Sequence, residues 1–467
     1  MSHEPWSLVV VVPGIGGSVL ARDGQPVWDL RARTVLRHLR TRGAVIESLT
    51  LPVGVGVGPA DDGVTAAGLV DDMVLIPGLW EPIPGYGRLV DCVCSAVGGR
   101  AIVDNDPLGV DAGVVLPFAY DWRLSNRHTA ERLGNEIVHA LDRLRRLGLA
   151  TTGGVAIIAH SMGGLVARYL CDVVAGAPDV SLLVTLGTPH RGALKALDVM
   201  ANGVPVLFGR TKHCLDAFVR SLPSVYELLP EYACIETQGD RPDHFEPSLC
   251  GVNERMAAEG SAFHGALDGS RSGVDAQVWW TGMFQNTNLT AIYRPGGGIE
   301  VSESYGRKPL DAAGDGTVPF FAAIPKAERV ADVRRRGIAQ GHGRLIEDET
   351  VLAEIAMLLS DPTFRGEPDV EHLSVSVDPI VRPAEPVEVR VGTAERFASI
   401  MVTVTDDRGR SAPVPSAGES GRFKASVRGL VEGVYVLRVD VPSTLGGLPP
   451  PAPVVRPLVV YEDGPGP

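Results

Sequence analysis

Four stretches of the chain are apolar with almost no interruption: Leu8–Val12, Val114–Ala119, Val155–Ile158 and Leu182–Leu186. A strand with one wet face alternates apolar and polar residues, so unbroken runs predict strands buried on both faces, as in a parallel sheet. Between the second and third runs, Thr129–Leu147 places Leu133, Ile137, Val138, Leu141, Leu144 and Leu147 on one stripe and stops at Gly148. That pattern predicts an amphipathic helix with a C-terminal glycine. Strand, helix, strand, helix, strand is the grammar of a mostly parallel sheet with helices on both faces.

The rhythm breaks from about 193 to 300, where aromatics, prolines, Cys214, Cys234 and Cys250 accompany mixed short elements. Two readings stand for this insertion: a cap over a site, or a plain structural excursion. Strand and turn signals return over Gln277–Tyr293 and Ala312–Phe321, and Leu345–Leu359 reads as a closing helix. Ser360–Pro368, with two prolines and a glycine, reads as a linker. Beyond it the period becomes two: Leu373/Val375/Val377, Val387/Val389/Val391, Ile400/Val402/Val404, Phe423/Ala425/Val427 and Val434/Val436. Short alternating strands between turns predict an all-β, immunoglobulin-like sandwich. The expected division is therefore 1–362 for an α/β unit and 369–467 for a β unit.

Composition narrows the partners. A chain of 467 residues with a net charge of −13 lacks the basic footprint that nucleic acid requires. Six cysteines are too few and scattered for a disulfide framework, and Cys92 and Cys94 lack the companions of a zinc site. Met1–Ser7 shows no basic segment leading into an apolar export core, and no run approaches the ~20 apolar residues of a membrane span. These features predict a cytoplasmic protein. Arg31–Arg42, with Leu36 and Leu39 between its arginines, offers either a peripheral contact with anionic lipid or a solvated helix face.

The chemistry concentrates in Val155–Gly164, where an apolar run ends in Ala159-His160-Ser161-Met162-Gly163-Gly164. A buried strand turning sharply into a helix strains its turn residue and needs small neighbours two positions away, here Ala159 and Gly163. Leu165, Val166, Tyr169 and Leu170 then recur at helical spacing. Ser161 is thereby presented as a nucleophile, which requires a histidine base and a carboxylate behind it. In the α/β-hydrolase order the acid follows the serine and the histidine comes last.

Asp315, in Gly314-Asp315-Gly316-Thr317-Val318-Pro319, is either that acid or an ordinary Asp-Gly turn. Of eleven histidines only His342 and His372 follow it, and His372 lies past the linker. His342 is therefore the general base by elimination. His190 precedes Asp315 and reads as loop architecture near the pocket. The Met162 amide, next to the nucleophile, is one expected oxyanion donor. The Pro13-Gly14-Ile15-Gly16-Gly17-Ser18 loop, lacking the spacing of a nucleotide cradle, offers a second.

The motifs together resemble the lecithin:cholesterol acyltransferase-like family of α/β-hydrolases over about residues 8–360. They are Val12–Ser18, Pro117–Arg123, Ala159–Val166, Leu186–Gly192, Leu222–Pro230 and Gly314–Pro319, in this order. The resemblance implies a Ser161, Asp315, His342 triad with the Ile15 and Met162 amides as oxyanion hole. It also implies that 193–300 is a cap shaping an acyl-chain pocket, and that Trp122 lines that pocket. Ala159 replaces the elbow glycine, and the β unit lies outside the family's catalytic part.

The expected activity is a serine-dependent lipase, phospholipase or acyltransferase that uses no metal or cofactor. The alternatives are a short-chain or general carboxylesterase, a non-catalytic scaffold whose β unit binds a protein partner, and an effector acting on the cell's own membrane lipids.

Overall fold

The computed structural model describes residues 6–29, 44–52, 58, 61–71, 85–99, 101–102, 114–149, 152–203, 209–237, 242–270, 273–283, 285–305, 308–309, 314–326, 332–338 and 340–361. In the C-terminal part it describes 374–377, 380–381, 383, 385–392, 399–406, 408–419, 422–431, 433–441 and 454–460. Arg31–Arg42, His372, Leu373 and most of the linker lie outside the described residues.

Six strands form the central sheet: β1 (Leu8–Val12), β2 (Val115–Pro117), β3 (Val155–His160), β4 (Val180–Leu186), β5 (Ala276–Gly282) and β6 (Asp332–Ile338). They run in the order β6-β5-β4-β3-β1-β2 with every pairing parallel. All residues of β1 and β3 are buried, as their β-branched and apolar composition demands of interior strands. Helix α1 (Gly87–Val97) packs against α7 (Glu349–Ser360), while α2 (Asn126–Arg146) packs on α3 (Met162–Asp172).

Helix α2 begins three residues earlier than its apolar stripe suggests because Ser125 caps it, its hydroxyl accepting from the Arg127 amide at 3.2 Å. Leu133, Ile137 and Leu144 face the core, whereas Val138 and Leu147 of the expected stripe are 43% and 41% exposed. Arg143, Arg145 and Arg146 in the last turn complement the helix dipole. The expected helix Leu345–Leu359 starts later: His342–Ile346 is a 3₁₀ turn, and α7 begins after Asp348, whose carboxylate accepts from the Thr350 and Val351 amides.

The 193–300 segment is not one excursion, since β5 falls inside it. Its buried Ala-Gln-Val-Trp-Trp-Thr-Gly sequence pairs with Leu182–Leu186, and that pairing returns the chain to the sheet. Before β5 lie α4 (Leu194–Asn202), α5 (Gly209–Ser221), a short turn of helix at Pro223–Tyr226, and α6 (Glu254–Gly269). After β5 comes the two-stranded ribbon Thr290–Tyr293/Ile299–Ser302.

Glu227 joins the earlier piece to α2. Its carboxylate accepts from Ser125 Oγ at 2.5 Å and from the Asn126 amide at 2.7 Å. Burial raises its pKa to about 7, against the lowering effect of those hydrogen bonds and of Arg127. A carboxyl raised on folding holds its proton where the unfolded chain has lost it, so the stability this gives is lost as pH rises from about 4.5 to about 7. Wild type should therefore lose thermal stability relative to Glu227→Gln across that window, read as the difference in Tm between the two. A difference independent of pH would refute the assignment.

In the C-terminal part a four-stranded sheet (Ser374–Ser376, Val387–Gly392, Arg422–Val427, Ser416–Glu419) accompanies a five-stranded one (Ile380–Val381, Val454–Val460, Gly433–Asp440, Met401–Asp406, Ser411–Val414). All pairings are antiparallel except Ile380–Val381 with Val454–Val460. Val375, Val387, Val389, Val391, Val402, Phe423, Ala425 and Val427 form a second hydrophobic cluster, in the phase their alternation predicts. Gly433–Asp440 has the opposite phase from the expected one. Leu437 and Val439 are buried and Val436 is exposed, because a shift of one residue turns every side chain of a strand over.

Candidate active site

Strand β3 carries the chain to His160, and Ser161 turns it into α3. Ser161 has φ 52° and ψ −129°, a conformation that side-chain-bearing residues rarely adopt. The turn is held by the Ser161 amide on Leu186 O (2.8 Å) and the Gly164 amide on Ser161 O (3.0 Å). Gly163 meets the loop after β1 at this point. A Cβ there would lie 2.7 Å from Val12 O and press on Pro13 O, both main-chain atoms with no freedom to yield. The methyl of Ala159 fits where the usual elbow glycine would stand, fully buried in β3.

His342 opens the 3₁₀ turn that follows β6. Its Nε2 lies 2.8 Å from Ser161 Oγ and its Nδ1 lies 2.7 Å from Asp315 Oδ2. A carboxylate only accepts, so Nδ1 carries the proton toward Asp315 and bare Nε2 accepts from the serine hydroxyl. Asp315 Oδ1 takes the Thr317 and Val318 amides at 3.0 and 2.7 Å, and its main-chain oxygen takes the His342 amide at 2.8 Å. The Asp-Gly turn thus fixes one carboxylate oxygen and leaves the other facing the imidazole. Ser161, His342 and Asp315 are 2%, 0% and 1% exposed. The three residues lie 181 and 27 positions apart in the chain and meet within one hydrogen-bonded row.

The Met162 amide opens α3 next to Ser161, and the Ile15 amide lies in the loop after β1. Neither has a hydrogen-bond partner among the described residues. The Ile15 amide follows Gly14, whose backbone meets Ser161 so closely that a Cβ on it would lie 2.8 Å from Ser161 Cβ.

Aromatic side chains hold the loop around Ile15. Tyr120 Oη donates to Pro13 O at 2.8 Å, and the Tyr120 amide donates to Ser18 Oγ at 3.1 Å. Trp28 Nε1 reaches Gly16 O at 3.4 Å, and Trp122 Nε1 reaches Ser18 O at 3.3 Å. Trp122 was expected on a pocket wall. In the structure it is 2% exposed, with its ring 4.6 Å from Trp28 and 6.1 Å from Phe218. Its neighbour Arg123 is fully buried between Asp121 (2.6 Å) and Asp62 (2.8 Å), which anchors the segment.

His190 stays outside the row. Its Nε2 faces Thr185 Oγ1 at 3.4 Å and its ring lies 5.8 Å from Trp279, while burial holds its pKa well below the usual histidine range. Two further residues that sequence reasoning missed connect to the row, His160 directly and Tyr86 through it. Tyr86 Oη lies 2.8 Å from the Gly14 amide and 2.8 Å from His160 Nδ1, and His160 Nε2 lies 3.1 Å from His342 O. His160 stands in the elbow motif itself, but Tyr86 joins it from 74 positions away with no local signal.

Among the described residues no group of three or more His, Cys, Asp and Glu side chains is arranged to hold a metal, and no helix is long and apolar enough to cross a membrane. All six cysteines are free thiols.

No curated protein matches the chain. Among solved structures, the Bacillus licheniformis lipase BlEst2 in propeptide form is similar at 10% identity and a TM-score of 0.36, covering 97% of this chain and 93% of that one. The phospholipase PlaB from Legionella pneumophila is similar at 11% identity and a TM-score of 0.31, covering 80% and 86%. At these values the likeness carries no inference about the site. The family model of lecithin:cholesterol acyltransferase matches residues 104–245, a span that contains Trp122 and the Ser161 elbow and ends before Asp315 and His342.

Proposed function

We propose that the protein is a serine-dependent hydrolase or acyltransferase of lipid acyl esters, working through an acyl-enzyme on Ser161. The observation that carries this reading is the continuous row Ser161 Oγ, His342 Nε2, His342 Nδ1, Asp315 Oδ2, with contacts of 2.8 and 2.7 Å, at a strained strand-to-helix turn. His342 takes the hydroxyl proton as Ser161 Oγ attacks the ester carbonyl, and Asp315 stabilises the imidazolium that forms. The Ile15 and Met162 amides hold the tetrahedral oxyanion. His342 then returns the proton to the departing alcohol. Water or an acceptor alcohol, deprotonated by the same imidazole, releases the acyl group.

The match over residues 104–245 to a family of lipid acyltransferases supports the lipid class of substrate. We further take residues 1–362 as the catalytic unit and 369–467 as a separate β unit. Their two separate hydrophobic clusters support that division. The β unit is then available for a protein partner.

Mass spectrometry of lipid extracts incubated with wild type and with Ser161→Ala tests the reading. Loss of an ester lipid should appear only with wild type. A matching free fatty acid identifies hydrolysis, and a new ester identifies acyl transfer. An unchanged lipid profile together with no turnover of p-nitrophenyl esters would leave a scaffold and sink the enzyme reading.

A further inference from the structure

Donors and acceptors around Tyr86 and His160 admit a single neutral arrangement. The main-chain oxygen of His342 only accepts, so His160 Nε2, 3.1 Å away, must carry the proton. The Nδ1 of a neutral His160 is then bare, and Tyr86 Oη at 2.8 Å must donate to it. With its own proton committed, the Tyr86 oxygen is left to accept the Gly14 amide at 2.8 Å. The chain of bonds runs from the loop that carries Ile15, through Tyr86 and His160, to the backbone of His342. Every polar atom along it has a partner.

We propose that Tyr86 and His160 are positioning residues that lock the loop after β1 to the His342 backbone, so that oxyanion donor and general base hold one fixed geometry. This deepens the Ser161 hydrolase reading and rests on it. The packing supports the lock. Tyr86 is fully buried, and Gly17 leaves room for its ring, since a Cβ at 17 would lie 2.6 Å from Tyr86 Cε2. The rings of His160 and His342 are 5.1 Å apart.

Charge matters at that separation. A cation on His160 would oppose the imidazolium that His342 must form, and it would give Nδ1 a proton facing the Tyr86 oxygen that Gly14 already uses. Burial first, and the neighbouring His342 second, push the His160 pKa down to about 3, so the ring stays neutral in ordinary buffers.

Steady-state kinetics of Tyr86→Phe, His160→Ala and His160→Gln in the full chain test this, on a p-nitrophenyl acyl ester. Each variant is also titrated with an alkylboronic acid, which adds to a serine hydroxyl as a tetrahedral anion. Tyr86→Phe removes one oxygen and keeps the ring. It should lower kcat by ~10- to 100-fold, the scale of a small misplacement of catalytic groups, with KM unchanged. Boronate affinity should weaken with kcat. His160→Gln, whose amide can return an N–H to His342 O, should recover part of the loss seen in His160→Ala.

A fall in Tm with kcat and boronate affinity at wild-type values would overturn the proposal, because a merely structural tie behaves that way. Equal losses in His160→Gln and His160→Ala would overturn the arm that reaches His342. Absence of Ser161-dependent turnover in wild type would remove the hydrolase reading itself, a result separable from active wild type with unaffected variants.

Discussion

Ser161→Ala should lower ester turnover by about 10⁴- to 10⁶-fold, His342→Ala should do the same, and the double variant should be no slower than either. The equality follows from the geometry. Proton removal needs Nε2 at 2.8 Å from Oγ, and without the imidazole the hydroxyl is an ordinary alcohol. Without the hydroxyl, the imidazole has nothing to deprotonate except water that is not placed for attack. What survives in each variant is binding and the two amide donors, and those are common to all three proteins. Single-turnover rates with unchanged circular dichroism would measure this. Multiplicative losses in the double variant would show that the two residues act independently and would break the proposed relay.

Asp315→Asn should cost about 10⁴-fold in kcat while leaving the fold intact. The Thr317 and Val318 amides point at Oδ1 from 3.0 and 2.7 Å, so only an oxygen is tolerated there. The asparagine must therefore turn its NH₂ toward His342 Nδ1, 2.7 Å away. Two donors cannot face each other, so the His342 proton moves to Nε2, the atom that has to receive the serine proton. The base is then present but in the wrong tautomer. Rates rising toward wild type as pH increases would contradict this, because more alkaline solution does not restore the acceptor. Retention of near-normal kcat would exclude Asp315 as the orienting acid.

The sheet was legible where strands are buried on both faces. β1, β3 and β4 announce themselves as unbroken apolar runs because both sides of each face the core. β6 is the opposite case. Its Asp-Val-Arg-Arg-Arg-Gly-Ile sequence carries no unbroken apolar run, and among the described residues it stands at the margin of the sheet, paired with β5. Chain order narrowed eleven histidines to His342 and His372, and the linker set His372 apart, since order and composition are both properties of the sequence. Burial partners are not. Trp122 entered the reading through the family resemblance alone, and its packing on Trp28 and Phe218 leaves no local pattern in the sequence. Tyr86 left no trace, because its role depends on a hydroxyl meeting a ring from a distant part of the chain.

The contact of Gly163 with the main-chain oxygens of Val12 and Pro13 bears on how this protein can change. The elbow and the loop after the first strand touch through atoms that no substitution can trim. Neither can drift by small steps while the other stays put. A shift at either must therefore be matched at the other, and substitution has freer play on surfaces farther out.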